Sequence, residues 1–253
     1  MVSSERDTVI ADVSVGGSEF CRRLSDATDV WLHGLFVDAL AAAGAPASSK
    51  IALVAVGGYG RRELAPFSDL DVLLVHDVKR GVDKIAEALW YPVWNTRLKL
   101  GHAVRTVKEA VQLAAANLDT ATSLLQVRHL AGDAALTEQV AGQAMAHWRK
   151  RARGWLSELS AAVVARQAQA GEVAFLLEPN LKDGRGGLRD VHSLQWAALA
   201  DLTGVDVHAD GDRAELSRSY ESVLAARVEL HRVTGRAGDV LALQDQDAVG
   251  FAC

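Results

Sequence analysis

IALVAVGGYGRRELAPFSDLDVLLVHD, residues 51–77, sets two apolar runs on either side of a glycine-bearing polar loop, and the second run carries two aspartates one residue apart. The runs over 50–56 and 70–75 are short and rich in Ile, Val and Leu, which reads as two buried strands. Successive side chains of a strand alternate faces, so Asp69 and Asp71 point to the same side. Two carboxylates side by side repel unless a cation sits between them. Gly57 and Gly58 close the first run, where the missing Cβ lets backbone approach a phosphate closely. The loop matches neither GxxxxGK[ST] nor GxGxxG with a downstream ribose-binding acid, which disfavours a P-loop ATPase and a dinucleotide fold.

Nucleotidyl transfer is the chemistry that wants this arrangement. A pair of same-face carboxylates can hold two Mg²⁺ ions roughly 3.5–4 Å apart, clamping the attacking and leaving oxygens of an in-line displacement. The amides of Gly57 and Gly58 would hold the triphosphate tail, and Arg61 or Arg62 would neutralise charge developing on pyrophosphate. A DxD pair alone is common and usually means exposed edge carboxylates. Here Asp69 follows Gly58 by eleven positions, between two apolar strands, and the combination is far more specific.

The rest of the chain frames this motif. Its 253 residues can bury a sizeable core. A net charge of −5 and a pI near 5.9 argue against a general nucleic-acid binder. Two cysteines, Cys21 and Cys253, stand outside any CxxC or Cys/His spacing, so neither a zinc site nor a disulfide framework is indicated. The opening residues lack the pattern of a signal peptide and no apolar run approaches a membrane span, so a cytoplasmic protein is expected. Helices are expected over 18–44, over 81–94 as far as Pro92, and from Thr106, with a third strand over 98–106. From residue 120 the chain becomes Ala-rich and helical over 120–131, 134–170 and 213–235. One loop interrupts it, EPNLKDGRGGLRD at 178–190, where glycines and Pro179 forbid a helix before periodicity resumes. Lys182, Arg185 and Arg189 cluster around its glycines, either to contact phosphate or protein substrate or as a solvated loop with a basic helix start.

VAVGGYGRRELAPFSDLDVLLV resembles the nucleotidyltransferase motif of the bifunctional uridylyltransferases that modify the PII nitrogen-signalling protein. GHAVRT (101–106), LLEPNLKDGRGGLRDVHSLQW (176–196) and ELHRVTGR (229–236) are similar to further blocks of that family. The resemblance implies an α+β fold, a polymerase beta-like nucleotidyltransferase domain with a mixed sheet over residues 1–140, followed by a helical domain over 141–253. It implies Mg²⁺-dependent transfer of UMP from UTP, or AMP from ATP, to a PII tyrosine, with PII as partner and nitrogen regulation as context. Gly57 and Gly58 would form the triphosphate turn, Asp69 and Asp71 would be catalytic metal ligands, Arg61 would bind nucleotide, and Ser68 would cap the loop or touch a phosphate. Tyr59 reads as a packing residue. His102 and Arg105 lie on a strand expected to face the site, His102 more as a structural histidine than a catalyst.

The sequence departs from the family in four ways. Arg62 stands where a glycine is usual, and Asn95 where an aspartate is usual. No third metal-site carboxylate is evident; Glu109 is the remaining candidate. The chain also ends without the phosphohydrolase and sensing regions of the family, so it is expected to be a truncated transferase lacking uridylyl removal. A helical half cut short would leave Leu224, Val228 and Leu230 partly exposed and prone to self-association. The competing readings are a module that binds nucleotide or PII without turnover, and another protein adenylyltransferase.

Overall fold

The computed structural model describes residues 4–96, 98–170, 176–201 and 210–252. Cys253 lies outside the described residues. Two compact units form, the first from Met1–Ala11, Arg22–Leu64 and Ser68–His147, the second from Asp12–Cys21, Ala65–Phe67 and Trp148–Cys253. The fold is α+β, with one small mixed sheet and many helices.

The first unit is built on four strands: β1 (Ile51–Ala55), β2 (Leu70–His76), β3 (Leu100–Arg105) and β4 (Arg128–Gly132). Their order is β3-β2-β1-β4. β1 is antiparallel to both neighbours and β2 parallel to β3. The parallel pair needs a crossover, supplied by α4 (Val82–Trp94), preceded in the chain by α1 (Ser4–Ala11), α2 (Gly17–Ala42) and the four-residue α3 (Gly57–Gly60). Every residue of β1 is buried, which is why it reads IALVA with no polar alternation.

Three elements differ from the sequence expectation, two in this unit and one that runs from it into the second. α4 runs past Pro92 to Trp94; proline removes one N–H and crowds the carbonyl four residues back, yet the Asn95 N–H still closes the last turn on Tyr91 O at 3.2 Å. The stretch 120–131 is not one helix. It holds the end of α6 (Leu118–Leu124), which follows α5 (Val107–Ala116), and most of β4. The open side of β1 takes up β4, a tertiary demand that overrides the weak local preference of RHLAG. Gly132 permits the pairing: its φ is +87°, and a methyl there would lie 2.2 Å from Ile51 O. Finally, 134–170 forms two helices, α7 (Ala134–Lys150) and α8 (Ala152–Ala170), parted at Arg151. The break accompanies a buried stack of Trp148 on Trp155 at 5.6 Å, with the Arg151 guanidinium 4.3 Å over the Trp155 ring.

In the second unit α8 is followed by α9 (Leu188–Leu199), α10 (Asp210–Thr234), a 3₁₀ turn at Leu243–Asp245 and α11 (Gln246–Ala252). Trp148 Nε1 donates to Trp196 O at 3.1 Å, tying the start of the unit to α9. Leu224, Val228 and Leu230 are all buried, contrary to the exposure expected of them. Leu230 packs with Leu181 and Val249, flanked by Val223, Ala226 and Leu241, so residues both before and after α10 in the chain cover it. Among the described residues no helix is long and apolar enough to cross a membrane.

Candidate functional site

The glycine turn is shaped by backbone before any side chain enters. Val56, extended at φ −132°, donates to Asp71 O at 3.0 Å, while its carbonyl accepts the Gly60 N–H. Gly57 then turns left-handed at φ +57°, a region that favours glycine. As in any helix, the first N–H groups of α3 have no acceptor within the helix. Its far end is fixed by close packing: a methyl on Gly60 would lie 1.8 Å from Gln126 O.

A polar cluster inside the first unit holds the turn in place. Arg128, at the start of β4, pairs with Asp29 on α2 through both oxygens, and donates to Tyr59 O at 3.1 Å and Gly60 O at 3.3 Å. The guanidinium therefore caps the carbonyls at the C-terminal end of α3. Tyr59, buried, donates its hydroxyl to Asp29 at 2.6 Å and lies beneath Arg128. Burial first, and then the Asp29 carboxylate, push its phenol well above the usual range. Tyr59 is thus a packing and anchoring residue. Arg128 and Asp29 carried no sequence signal, because their partners lie far away in the chain.

Asp71 is the polar break in the buried run of β2, itself flanked by β1 and β3. Its cross-strand partner is Gly101, and the missing side chain of that glycine is what houses the carboxylate: a methyl at 101 would sit 2.2 Å from Asp71 Oδ1. On the other side, a methyl at Gly57 would lie 3.6 Å from Asp71 Oδ2 and 3.5 Å from Ser123 Oγ. The glycine turn, Asp71 and Ser123 therefore meet at one place. Asp69 immediately precedes β2 and is exposed, two positions from Asp71 and on the same side by alternation; Ser68 before it is half-buried. Arg61 is tied to Glu63 at 2.7 Å and its Nη2 lies 3.7 Å from the Cβ position of Gly58, so a cation flanks the turn. Arg62, at φ +62°, occupies a conformation that suits glycine, and its guanidinium goes to Asp26 on α2.

Other residues singled out from the sequence fall elsewhere. His102 pairs with Val72 and so lies on the face opposite Asp71 and Gly101, its ring 5.4 Å from Trp90 and 5.5 Å from Trp94 of α4. It does not face the site. Arg105 shares the Gly101 face but pairs with Val75 at the far end of the strand, about 13 Å along at the usual rise. The Glu109 carboxylate is taken by the Thr106 N–H and hydroxyl at 2.8 and 2.9 Å, a capping box that holds it below the usual carboxylate range. It is an N-terminal cap rather than a metal ligand. Asn95 is the exposed C-cap of α4. Among the described residues no cluster of three His, Cys, Asp or Glu side chains is arranged around a cation.

In the second unit the glycine-rich loop is an internally bonded structure. Asn180 accepts the Lys182 and Asp183 N–H groups at 3.0 and 2.7 Å, and Leu181 N–H and Pro179 O bond the strand-like stretch of Asp239 and Leu241. Gly187 lies within 3 Å of three carbonyl oxygens at its Cβ position, which no other residue tolerates. Arg166 and Gln167 of α8 hold Asp190, which also accepts the Gly186 N–H. Lys182 lies 3.8 Å from Asp239, and Arg189 3.2 Å from Asp183, so both are engaged within the loop's own charge pattern, while Arg185 is exposed. Burial opposes ionisation of Asp239, yet the Arg227 guanidinium at 2.6 Å keeps its carboxyl below the usual range. Beside it His231 is fully buried; burial, then Arg227, bring its imidazole down to about 4.

Residues 155–253 match the GlnD PII-uridylyltransferase family. The chain is 45% identical over 230 residues, 90% of its length, to a bifunctional uridylyltransferase/uridylyl-removing enzyme of Streptomyces coelicolor. Over most of its own length the chain resembles the bifunctional PII uridylyltransferases. The similarly named enzymes of Mycobacterium tuberculosis and Caulobacter vibrioides are 43% identical over 81% of the chain and 32% identical over 98% of it. The matches cover 26%, 26% and 28% of those three enzymes, so the chain spans about a quarter of the length of the curated relatives it matches. The chain carries both the glycine-turn and DxD motif and the glycine-rich loop of the second unit.

Proposed function

We propose that this chain transfers a nucleoside monophosphate, UMP or AMP, from the triphosphate to a tyrosyl hydroxyl of a PII protein. The phenolic oxygen bonds to the α-phosphorus, its proton is lost, the α–β phosphoanhydride breaks, and pyrophosphate leaves. The observation that carries the reading is the convergence of the Gly57 turn and the Asp71 carboxylate, with Gly101 making room for that carboxylate. The activity named for the similar enzymes supports it.

Asp69 and Asp71 would hold Mg²⁺. The donor set suits this ion, which binds through one or two carboxylates plus phosphate and water rather than in an all-protein cage. When bound, Mg²⁺ supplies charge neutralisation and alignment of the attacking and leaving oxygens. The chain's own residues do the rest. The leading amides of α3 receive the triphosphate, Arg61 balances charge at the pyrophosphate side, and Ser68 steadies the approach to Asp69. The glycine-rich loop, with Arg185 exposed, presents Lys182, Arg185 and Arg189 to the protein substrate.

Pyrophosphate release in mixtures of the chain, PII, Mg²⁺ and either UTP or ATP tests this. Release that needs all components and stops with chelator supports transfer. Calorimetric binding of nucleotide without release in the presence of PII would replace it with a binding module.

A further inference from the structure

Ser123 is the polar side chain at this place that no motif announced. It lies in the last turn of α6, half-buried. A helical hydroxyl usually turns back to a carbonyl three or four residues earlier, and the adjacent Thr122 does so, bonding Leu118 O at 3.0 Å and Asp119 O at 3.1 Å. Ser123 makes no such side-chain bond among the described residues, although its carbonyl accepts the Gln126 N–H. Its Oγ is 3.5 Å from the point that a Gly57 side chain would occupy, and Asp71 Oδ2 is 3.6 Å from the same point. The left-handed Gly57 thus leaves a small crevice with a hydroxyl on one wall and a carboxylate on the other. A group entering it meets a neutral donor opposite an anion, which suits a phosphate oxygen shielded from the carboxylate by a cation.

We infer that Ser123 is a further triphosphate-binding residue, its hydroxyl donating to a phosphate oxygen held in the Gly57–Gly58 turn. The inference rests on the nucleotidyltransferase reading and adds a ligand from α6, an element outside the glycine and aspartate motif. Removing the hydroxyl should not disturb folding, since no protein group depends on it and alanine is the better helix former. A hydrogen bond to a charged group is worth enough to change affinity about tenfold.

The test is titration calorimetry of the full chain with UTP (ATP in its place where the wild type binds only ATP), and separately with inorganic tripolyphosphate, each with Mg²⁺, comparing the wild type with Ser123→Ala and Ser123→Thr. The expected result is about tenfold weaker binding of both ligands by Ser123→Ala, restored by Ser123→Thr, with unchanged urea unfolding. Wild-type binding that Ser123→Ala leaves intact, or a loss confined to UTP and absent with tripolyphosphate, overturns the inference while leaving the nucleotide site standing. A wild type that binds neither UTP nor ATP overturns the nucleotidyltransferase reading and this inference with it.

Discussion

Substituting alanine at Gly101 separates the chemistry of Asp71 from the stability of the sheet. Gly101 is not in the left-handed region, so its backbone accepts any residue. It is exposed on the edge strand β3 and pairs with Asp71. The added methyl would lie 2.2 Å from Asp71 Oδ1 but 3.4 Å from Cγ and 3.8 Å from Cα, so only the carboxylate tip clashes. To regain van der Waals contact the oxygen must move by about 1 Å. Gly→Ala in a strand gains roughly 0.5–1 kcal/mol from lost unfolded-state freedom, which offsets most of the strain of a new rotamer. The net stability change should therefore stay within about 1 kcal/mol. Displacing a reacting group by about 1 Å costs on the order of 10²-fold in rate, or about 2.7 kcal/mol at the transition state. Urea unfolding and PII labelling, measured on the same preparation, read the two effects. A Gly101→Ala protein that labels PII at the wild-type rate refutes the placement of Asp71 in the catalytic machinery.

Arg128→Met leaves Asp29 and two carbonyls without their cation in a partly exposed site; chemical denaturation should show a loss of about 2 kcal/mol, and an unchanged midpoint would contradict the anchoring role. Gly60→Ala meets a backbone oxygen at 1.8 Å that cannot step aside, so it should cost about 3 kcal/mol or abolish soluble expression. His231 is held at about 4 when folded and titrates near 6.5 when unfolded, so below pH 6.5 the unfolded chain binds a proton the folded chain refuses. Stability is then lost as pH falls from 6.5 toward 4, by up to about 3 kcal/mol, in a pocket shared with Arg227, Lys182 and Asp239; melting temperatures of the wild type and His231→Gln across this range should converge at low pH, and parallel curves would contradict the assignment.

The strands β1, β2 and β3, the long α2 and the glycine turn were legible because each is written in a contiguous run: IALVA, the spaced apolar positions of 18–44, and paired glycines at a strand end. β4 was not, since RHLAG acquires its conformation from the open edge of β1. The placement of Asp71 was half legible. Alternation aligned it with Asp69, but the cavity that receives its carboxylate depends on Gly101, whose role appears only once the β2–β3 register is known. Arg128 and Asp29 lie 99 positions apart and meet through the fold alone. Glu109 shows a different failure. TVKE is a legible capping box, and its reciprocal Thr106–Glu109 bonds engage the carboxylate that a metal ligand would need. The burial of Leu230 was not legible because Leu241 and Val249, which pack on it together with Leu181, lie in a stretch with little hydrophobic periodicity of its own.

The proposed function rests on Asp69 and Asp71 as the metal-holding pair for nucleotidyl transfer to PII. Its most direct test is incubation of PII with α-labelled UTP or ATP, Mg²⁺ and either the wild-type chain or its Asp69→Asn/Asp71→Asn variant. The variant should unfold in urea like the wild type, because Asp69 is exposed and Asp71 only half-buried. Label should enter PII with the wild type and fall to background with the variant, while equal labelling by the two proteins would contradict the claim.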